Sequence, residues 1–386
     1  MTENQQNMLA VLSSAIWNTP LALGENPDWS GIVDELEKQK VYYLAVEKLP
    51  QEFRNHQGQM MQAMLYLNLL KVQQKAGEAL DAAGIPYTVL KGSAVACYYE
   101  KPQYRTYGDI DILVSPDRFE KAKAVLLGLG FEEESGDERH CSMHWSNVEL
   151  ELHKRFTIGY ENHAEALENR ITAALGHTVS REINGCGFRC LPPVENGMVL
   201  ALHVLQHLSE DGLGLRQILD LLCYAHCEIT NENWNSGMGQ AFADLGLDRI
   251  ILTVARMGQL WFGFPDTQTW CNKADEKDCA LLLEQLLEDG NFGRARDRSN
   301  RGAMDLFSVP FTRLYRYLAD YGAMRWKPAQ EYRVLRPAAA VYQLGHYGKQ
   351  LLLRKNRENL NTNQKKAGQR LTLLKNMGIS LKTLSE

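Results

Sequence analysis

Between residues 85 and 114 an apolar run, Ile85-Pro86-Tyr87-Thr88-Val89-Leu90, stops at Lys91-Gly92-Ser93 and is followed by Asp109-Ile110-Asp111-Ile112-Leu113-Val114. The first run reads as a short buried strand. The second reads as a strand with Asp109 and Asp111 on one face and Ile110 and Ile112 on the other, because successive side chains alternate. Gly92 lets the backbone approach a ligand closely. Ser93 is placed to cap a helix beginning near Ala94 and to bind an anion at that helix's positive end. A strand, a glycine turn, a helix and a second strand in this order require a mixed α/β unit, with the two motifs meeting at neighbouring strand ends.

Carboxylates two residues apart along a strand lie about 7 Å apart and can jointly grip hard cations. Mg²⁺ takes oxygen ligands, keeps several waters and is completed by substrate phosphates, so two or three protein carboxylates suffice. Two ions would activate an attacking oxygen and stabilise charge on an α-phosphate and its leaving pyrophosphate. Lys91 and Arg105 supply positive charge beside them. Each element alone also has a bland reading, a solvated strand edge for Asp-x-Asp and a simple capped turn for Gly-Ser. Their order is what points to a nucleoside triphosphate and its metal ions.

This pattern resembles the nucleotidyltransferase superfamily with the polymerase-β-like fold, and within it an uncharacterised bacterial nucleotidyltransferase family. The matching positions are Lys91-Gly92-Ser93, Arg105 and Gly108-Asp109-Ile110-Asp111-Ile112-Leu113-Val114, and the likeness extends from Asp28-Trp29 to the His203–Asp220 region. The resemblance implies a small mixed-sheet core, an NTP substrate, two Mg²⁺ ions with Mn²⁺ as a substitute, and Asp109 and Asp111 as metal-binding catalytic residues. Lys91, Gly92, Ser93 and Arg105 would then contact the nucleotide.

A third carboxylate is expected on an adjacent strand. Val148-Glu149-Leu150-Glu151-Leu152-His153 alternates strictly, which directs Val148, Leu150 and Leu152 inward and Glu149, Glu151 and His153 to the opposite face. By the resemblance the acidic residue before Leu-His, Glu151, is the third metal ligand, where the family commonly has Asp; it is also placed to act as a base. Both glutamates have a competing role in solvating an exposed sheet face. His153 stays open between the site and the surface.

The chain is an α+β protein of 386 residues, 45% hydrophobic, ample for several packed regions. The expected division is a helical region over 1–83, a catalytic core over 84–191, a helical domain over 192–300 and a helical C-terminal region over 301–386. Trp29 begins one helix, and a long amphipathic helix over about 57–83 ends at Gly84. Ser115-Pro116-Asp117 supplies an N-cap and first-turn proline for a helix ending at Gly130. Strands around Phe131 and Val148, and Ile183 to Leu191, close the sheet. In the helical domain His203 and His207 stand one turn apart, but no Glu follows His203, so the metalloprotease pattern is absent. A buried pair satisfied by the backbone or Asp220 is the ordinary reading. Arg216 and Asp220 also stand one turn apart, and the resemblance gives Arg216 a role facing nucleotide or acceptor.

The net charge is −5, yet Lys349 to Glu386 carries nine Lys or Arg against two acidic residues. That tail suits an anionic partner or, more simply, an amphipathic helix with a basic exposed face. Eight cysteines without a Cys-x-x-Cys pair suggest reduced thiols. No leader-like N-terminus and no run of eighteen apolar residues occur, so a cytoplasmic protein without a transmembrane segment is expected. The reaction expected is transfer of an NMP group to an acceptor hydroxyl on a small molecule, a protein or a nucleic-acid end. The alternative is a nucleotide-sensing or interaction module that keeps the fold without the catalysis.

Overall fold

The computed structural model describes residues 1–136, 139–156, 163–209 and 213–290, together with parts of 315–378, chiefly 333–352. The chain divides into two compact units, Met1–Ile158 with His163–Phe292, and Gly159–Asn162 with Gly293–Glu386.

The first unit opens with α1 (Glu3–Ile16), α2 (Trp29–Lys38), α3 (Tyr42–Ala45) and the 27-residue α4 (His56–Ala82). Asp28 starts α2 by accepting a hydrogen bond from the Gly31 N–H at 3.0 Å, which satisfies a donor the helix itself leaves free. Strands β1 (Tyr87–Leu90), β2 (Ile110–Val114), β3 (Glu132–Gly136), β4 (His140–Trp145) and β5 (Val148–His153) form a mixed sheet in the order β1-β2-β5-β4-β3. Between β1 and β2 lies the short α5 (Gly92–Ala96), and between β2 and β3 lies α6 (Phe119–Leu129). β2 runs antiparallel to β1 and parallel to β5. A parallel neighbour needs a long crossover, which α6 and the β3–β4 hairpin supply.

One face of the sheet carries the core. Ile110, Ile112, Leu150 and Leu152 pack with Tyr66, Leu70 and Leu80 of α4 and with Phe119 and Leu126 of α6. The alternation expected of β5 holds, with Val148, Leu150 and Leu152 buried and Glu149, Glu151 and His153 on the other face. Two local expectations are corrected. Ser115 makes no capping bond, because a single 3-10 turn, Pro116–Arg118, intervenes before α6. Residues 183–191 do not close the sheet as one strand but belong to a separate hairpin, β6 (Val179–Ile183) with β7 (Cys186–Cys190). Asn184 and Gly185 between them have φ of 50° and 76°, the left-handed pair that matches the twist of a two-residue hairpin. Ile183, Phe188 and Cys190 of this hairpin join the same core.

The chain continues through α7 (Ala164–Ala174), α8 (Pro193–Ser209), α9 (Leu215–Glu228), the short α10 (Asn231–Asn233) and α11 (Gly239–Ala243), then α12 (Asp248–Trp261) and α13 (Glu276–Asp289). α9 packs on α5, α8 and α12. Gly197 of α8 makes room for Tyr224 of α9, since a Cβ there would lie 2.1 Å from the ring hydroxyl, which itself donates to the Pro193 carbonyl at 2.8 Å. A buried ion pair ties α9 to the core. Arg105, just before β2, grips Asp220 with Nε to Oδ1 and Nη2 to Oδ2, both at 2.7 Å, while the Tyr99 hydroxyl donates to Oδ1 at 2.8 Å. The Asp220 carboxylate, one turn from Arg216 on α9, is thus engaged from the core side.

In the second unit the described residues include the helix Arg336–Leu352, whose Ala339 packs with Ala329 and Trp326. Most of the basic tail lies outside the described residues, although Leu373 and Leu374 are buried. No helix among the described residues is long and apolar enough to cross a membrane. All eight cysteines are free; Cys186 and Cys190 mark the two ends of β7.

Two stability measurements follow from this packing. Gly197→Ala removes a helix penalty of about 1 kcal/mol. Displacing the buried Tyr224 ring costs about 1–3 kcal/mol, so the urea midpoint should fall with an unchanged slope, and a rise would refute the contact. Asp220→Ala leaves Arg105 buried without its partner and should cost about 3–5 kcal/mol, whereas Arg105→Met with Asp220→Leu should cost much less.

Candidate active site

The antiparallel pairing of β1 and β2 places Leu90 opposite Asp111, so the residue after β1 arrives at the start of β2. That residue is Lys91, and its Nζ lies 2.9 Å from Asp111 Oδ1. Lys91 has φ 49° and ψ −138°, a conformation that costs a non-glycine residue on the order of 1–3 kcal/mol. Gly92 follows at φ 36°, which is why glycine occupies it. A lysine is therefore held in a strained backbone with its ammonium on a buried carboxylate.

From the other side, the parallel pairing of β2 and β5 sets Asp111 directly beside Glu151. His153, two residues on, shares that face. Its Nε2 lies 2.9 Å from Asp111 Oδ1 and 3.2 Å from Glu151 Oε2. Neighbouring β4 contributes His140, whose Nε2 is 3.7 Å from Glu151 Oε1 and whose ring centroid is 5.2 Å from that of His153. Glu149 lies farther out along β5, exposed and opposite His144. Glu151 is thus the strand's carboxylate beside Asp111.

The charges here are strongly coupled. Burial works against ionisation of Asp111, but the Lys91 ammonium and the His153 ring outweigh it and hold the carboxyl far below the usual range. The negative charge of Asp111, and then burial, push Asp109 up to about 6. A hydrogen bond from His153 keeps Glu151 below its ordinary value against burial. Burial lowers and the two carboxylates raise the affinity of His153 for a proton, with the carboxylates prevailing. Partial burial works against the charge of Lys91 as well, yet Asp111 and Asp109 keep it protonated.

The remaining residues expected at the site are distributed around this centre. Asp109 is half-buried and immediately precedes β2, where Asp111 and Lys91 act on it electrostatically. Ser93 is fully buried and its hydroxyl donates to Gln73 Oε1 at 2.6 Å; α5 already starts at Gly92, so Ser93 lies inside the first turn and caps nothing. Arg105 is engaged with Asp220, as described. Arg216 Nη1 donates to the Thr106 carbonyl at 3.1 Å, three residues before Asp109. His203 and His207 contact each other edge to face, with ring centroids 4.4 Å apart. Burial, then the nearby Lys91, His207 and Arg216, keep His203 neutral well below its ordinary range. Asp220, one of the two partners considered for those histidines beside the backbone, accepts from Arg105 and Tyr99.

The donor set suits a divalent ion. Asp111, Glu151 and His153 each offer one ligand atom, all within 4.8 Å of one another, and two carboxylates supply the charge. His153 is the member that the sequence left undecided, although strict alternation already put it on the face of Glu151. Gln73 and Tyr99, which brace Ser93 and Asp220, had no sequence signal, since each acts from a distant helix or loop.

No curated protein matches the sequence. Among solved structures, the antibiotic-resistance factor ANT(2'')-Ia is similar at 12% identity and a TM-score of 0.34, over 46% of this chain and 92% of that one. A nucleotidyltransferase-like antigenic protein from Paracoccidioides brasiliensis is similar at 17% identity and a TM-score of 0.33, over 52% of this chain and 94% of that one. The family described as uncharacterised nucleotidyltransferase matches residues 25–263, more than half of the chain and the whole of the segment that builds the carboxylate cluster. The chain belongs to this nucleotidyltransferase family.

Proposed function

We propose that this protein transfers an NMP group from an NTP to an acceptor hydroxyl and releases pyrophosphate. The observation that carries the reading is the convergence of Asp109, Asp111, Glu151 and Lys91 where β1, β2 and β5 lie side by side. In the reaction the acceptor oxygen forms a bond to the α-phosphorus while the bond from that phosphorus to the bridging oxygen breaks. The electron pair leaves with pyrophosphate, and the hydroxyl proton must go to a base.

Asp111, Glu151 and His153 would hold one divalent ion, and Asp109 with Asp111 a second. When bound, such ions polarise phosphate oxygens and neutralise charge on the leaving group. The protein's own groups do the rest. Lys91 is a fixed cation beside Asp111, positioned to attract the triphosphate. Gly92 keeps the turn free of a side chain where that triphosphate would approach. Ser93, through Gln73, fixes the turn from within. Arg216 and the Arg105–Asp220 pair place α9 behind Asp109, and the acceptor proton would pass to a carboxylate oxygen of the cluster not engaged by an ion, or to water. The site lies on the first unit, whose helices would bear the acceptor.

Calorimetry with ATP, GTP, CTP and UTP, each with and without Mg²⁺ or Mn²⁺, tests this. At least one nucleotide should bind only with the ion, and Asp111→Asn should weaken that binding by at least about tenfold, or 1.4 kcal/mol. Lys91→Met should weaken triphosphate binding more than monophosphate binding. Equal nucleotide binding by wild type and Asp111→Asn would sink the reading. Metal-dependent binding without pyrophosphate release across hydroxyl acceptors would identify a nucleotide sensor instead.

A further inference from the structure

The carboxylate cluster contains a ring nitrogen, and a nitrogen donor discriminates between ions that oxygen donors treat alike. His153 Nε2 stands 2.9 Å from Asp111 Oδ1 and 3.2 Å from Glu151 Oε2. Two donors each about 2.1 Å from one small cation, at a right angle, are about 3.0 Å apart, while Ca²⁺ at about 2.4 Å needs about 3.4 Å. The spacing between His153 and its two carboxylates is that of a hydrogen bond and also fits the coordination edge of any small dication, Mg²⁺ included, so the choice among small ions rests on the ring nitrogen. The same atoms are drawn together here by a shared N–H, which a dication bound to neutral imidazole would replace.

The surroundings hold these donors in place. The register of β2 with β5 fixes Asp111 and Glu151 as direct neighbours, and Leu152 between Glu151 and His153 is buried in the core, so neither donor turns away without unpacking the sheet. Lys91 at 2.9 Å holds Asp111, and His140 stands 3.7 Å from the other oxygen of Glu151. Such supporting contacts orient the ligands of metal sites. Mg²⁺ favours all-oxygen sites, whereas imidazole suits zinc, cobalt, nickel and, with mixed oxygen and nitrogen donors, manganese.

We infer that Asp111, Glu151 and His153 form a site that takes a nitrogen-accepting transition-metal dication, of the Mn²⁺ to Zn²⁺ class, in preference to Mg²⁺. The inference rests on reading this face as the metal-binding face of nucleotidyl transfer, and it differs from the Mg²⁺ expected from the carboxylates alone. His153 is then a ligand, and the longer reach of Glu151 compared with aspartate accommodates it.

The full chain, stripped of metal and free of nucleotide, is titrated by calorimetry with Mn²⁺, Zn²⁺ and Mg²⁺, and the Mn²⁺ form is examined by pulsed EPR. One Mn²⁺ should bind at least about tenfold tighter than Mg²⁺ and show coupling to a ¹⁴N nucleus. His153→Gln should lose the ¹⁴N coupling and most of the preference, while Glu149→Gln, on the same strand but outside the cluster, should keep both. No binding of any ion, equal affinity for Mn²⁺ and Mg²⁺, or coupling retained in His153→Gln would overturn the inference. If His153→Gln does not fold, the presence or absence of ¹⁴N coupling in the wild type decides. Mg²⁺-selective binding together with NTP-dependent pyrophosphate release would overturn this inference and leave the transferase reading standing. Nitrogen-ligated Mn²⁺ in a protein that binds no nucleotide would do the reverse.

Discussion

A carboxylate 2% exposed in the middle of a sheet is tolerable only if its charge is matched, and Asp111 is matched twice, by Lys91 and by His153. An unpaired ion at such a depth would cost several kcal/mol. The rest of the first unit answers to this balance. Lys91 reaches Asp111 only because the turn after β1 accepts a strained backbone, and Glu151 joins because β5 lies parallel to β2. Lys91 offsets Asp109 only in part, so the neighbouring Asp111 charge and burial still push its carboxyl up to about 6, and three carboxylates crowd one centre. That crowding is the physical basis for expecting it to attract metal ions and to guide a phosphate-bearing ligand toward them.

Behind the centre the Arg105–Asp220 pair does a different job. Bidentate geometry and the added bond from Tyr99 satisfy the carboxylate, so the charges are compensated among themselves and add little field at the site. Its role is to fix where α9 stands, and through α9 the place of Arg216 behind the loop that leads into Asp109. Charge at the centre and charge in the strut are thus separated in function although Arg105 lies close to Asp109 in sequence.

What was legible in the sequence is what rests on short-range periodicity. Period-two alternation gave both carboxylate-bearing strands, and Gly84 and Gly130 ended their helices where expected. Asn184-Gly185 carried a strong hairpin signal, but the apolar residues on either side read as one strand and masked it. Partnerships across the fold were not legible. Arg105 sits beside the aspartates in sequence and so read as a ligand-facing charge, yet its partner comes 115 residues later. Ser93 read as a phosphate contact because of its neighbours, while the group that claims its hydroxyl, Gln73, lies in the interior of a helix with nothing local to announce it. Periodicity reports which face a side chain takes; it is silent on who waits there.

The pairing of β2 with β5 has a consequence for how the chain tolerates change. Because Leu150 and Leu152 fill the core while Glu151 between them meets Asp111, a shift of β5 by a single residue would exchange the two faces. Carboxylate cluster and hydrophobic core are therefore read from one ruler, and a chain that has folded has also aligned its carboxylates. The exposed β3, by contrast, has no buried face for such a shift to exchange.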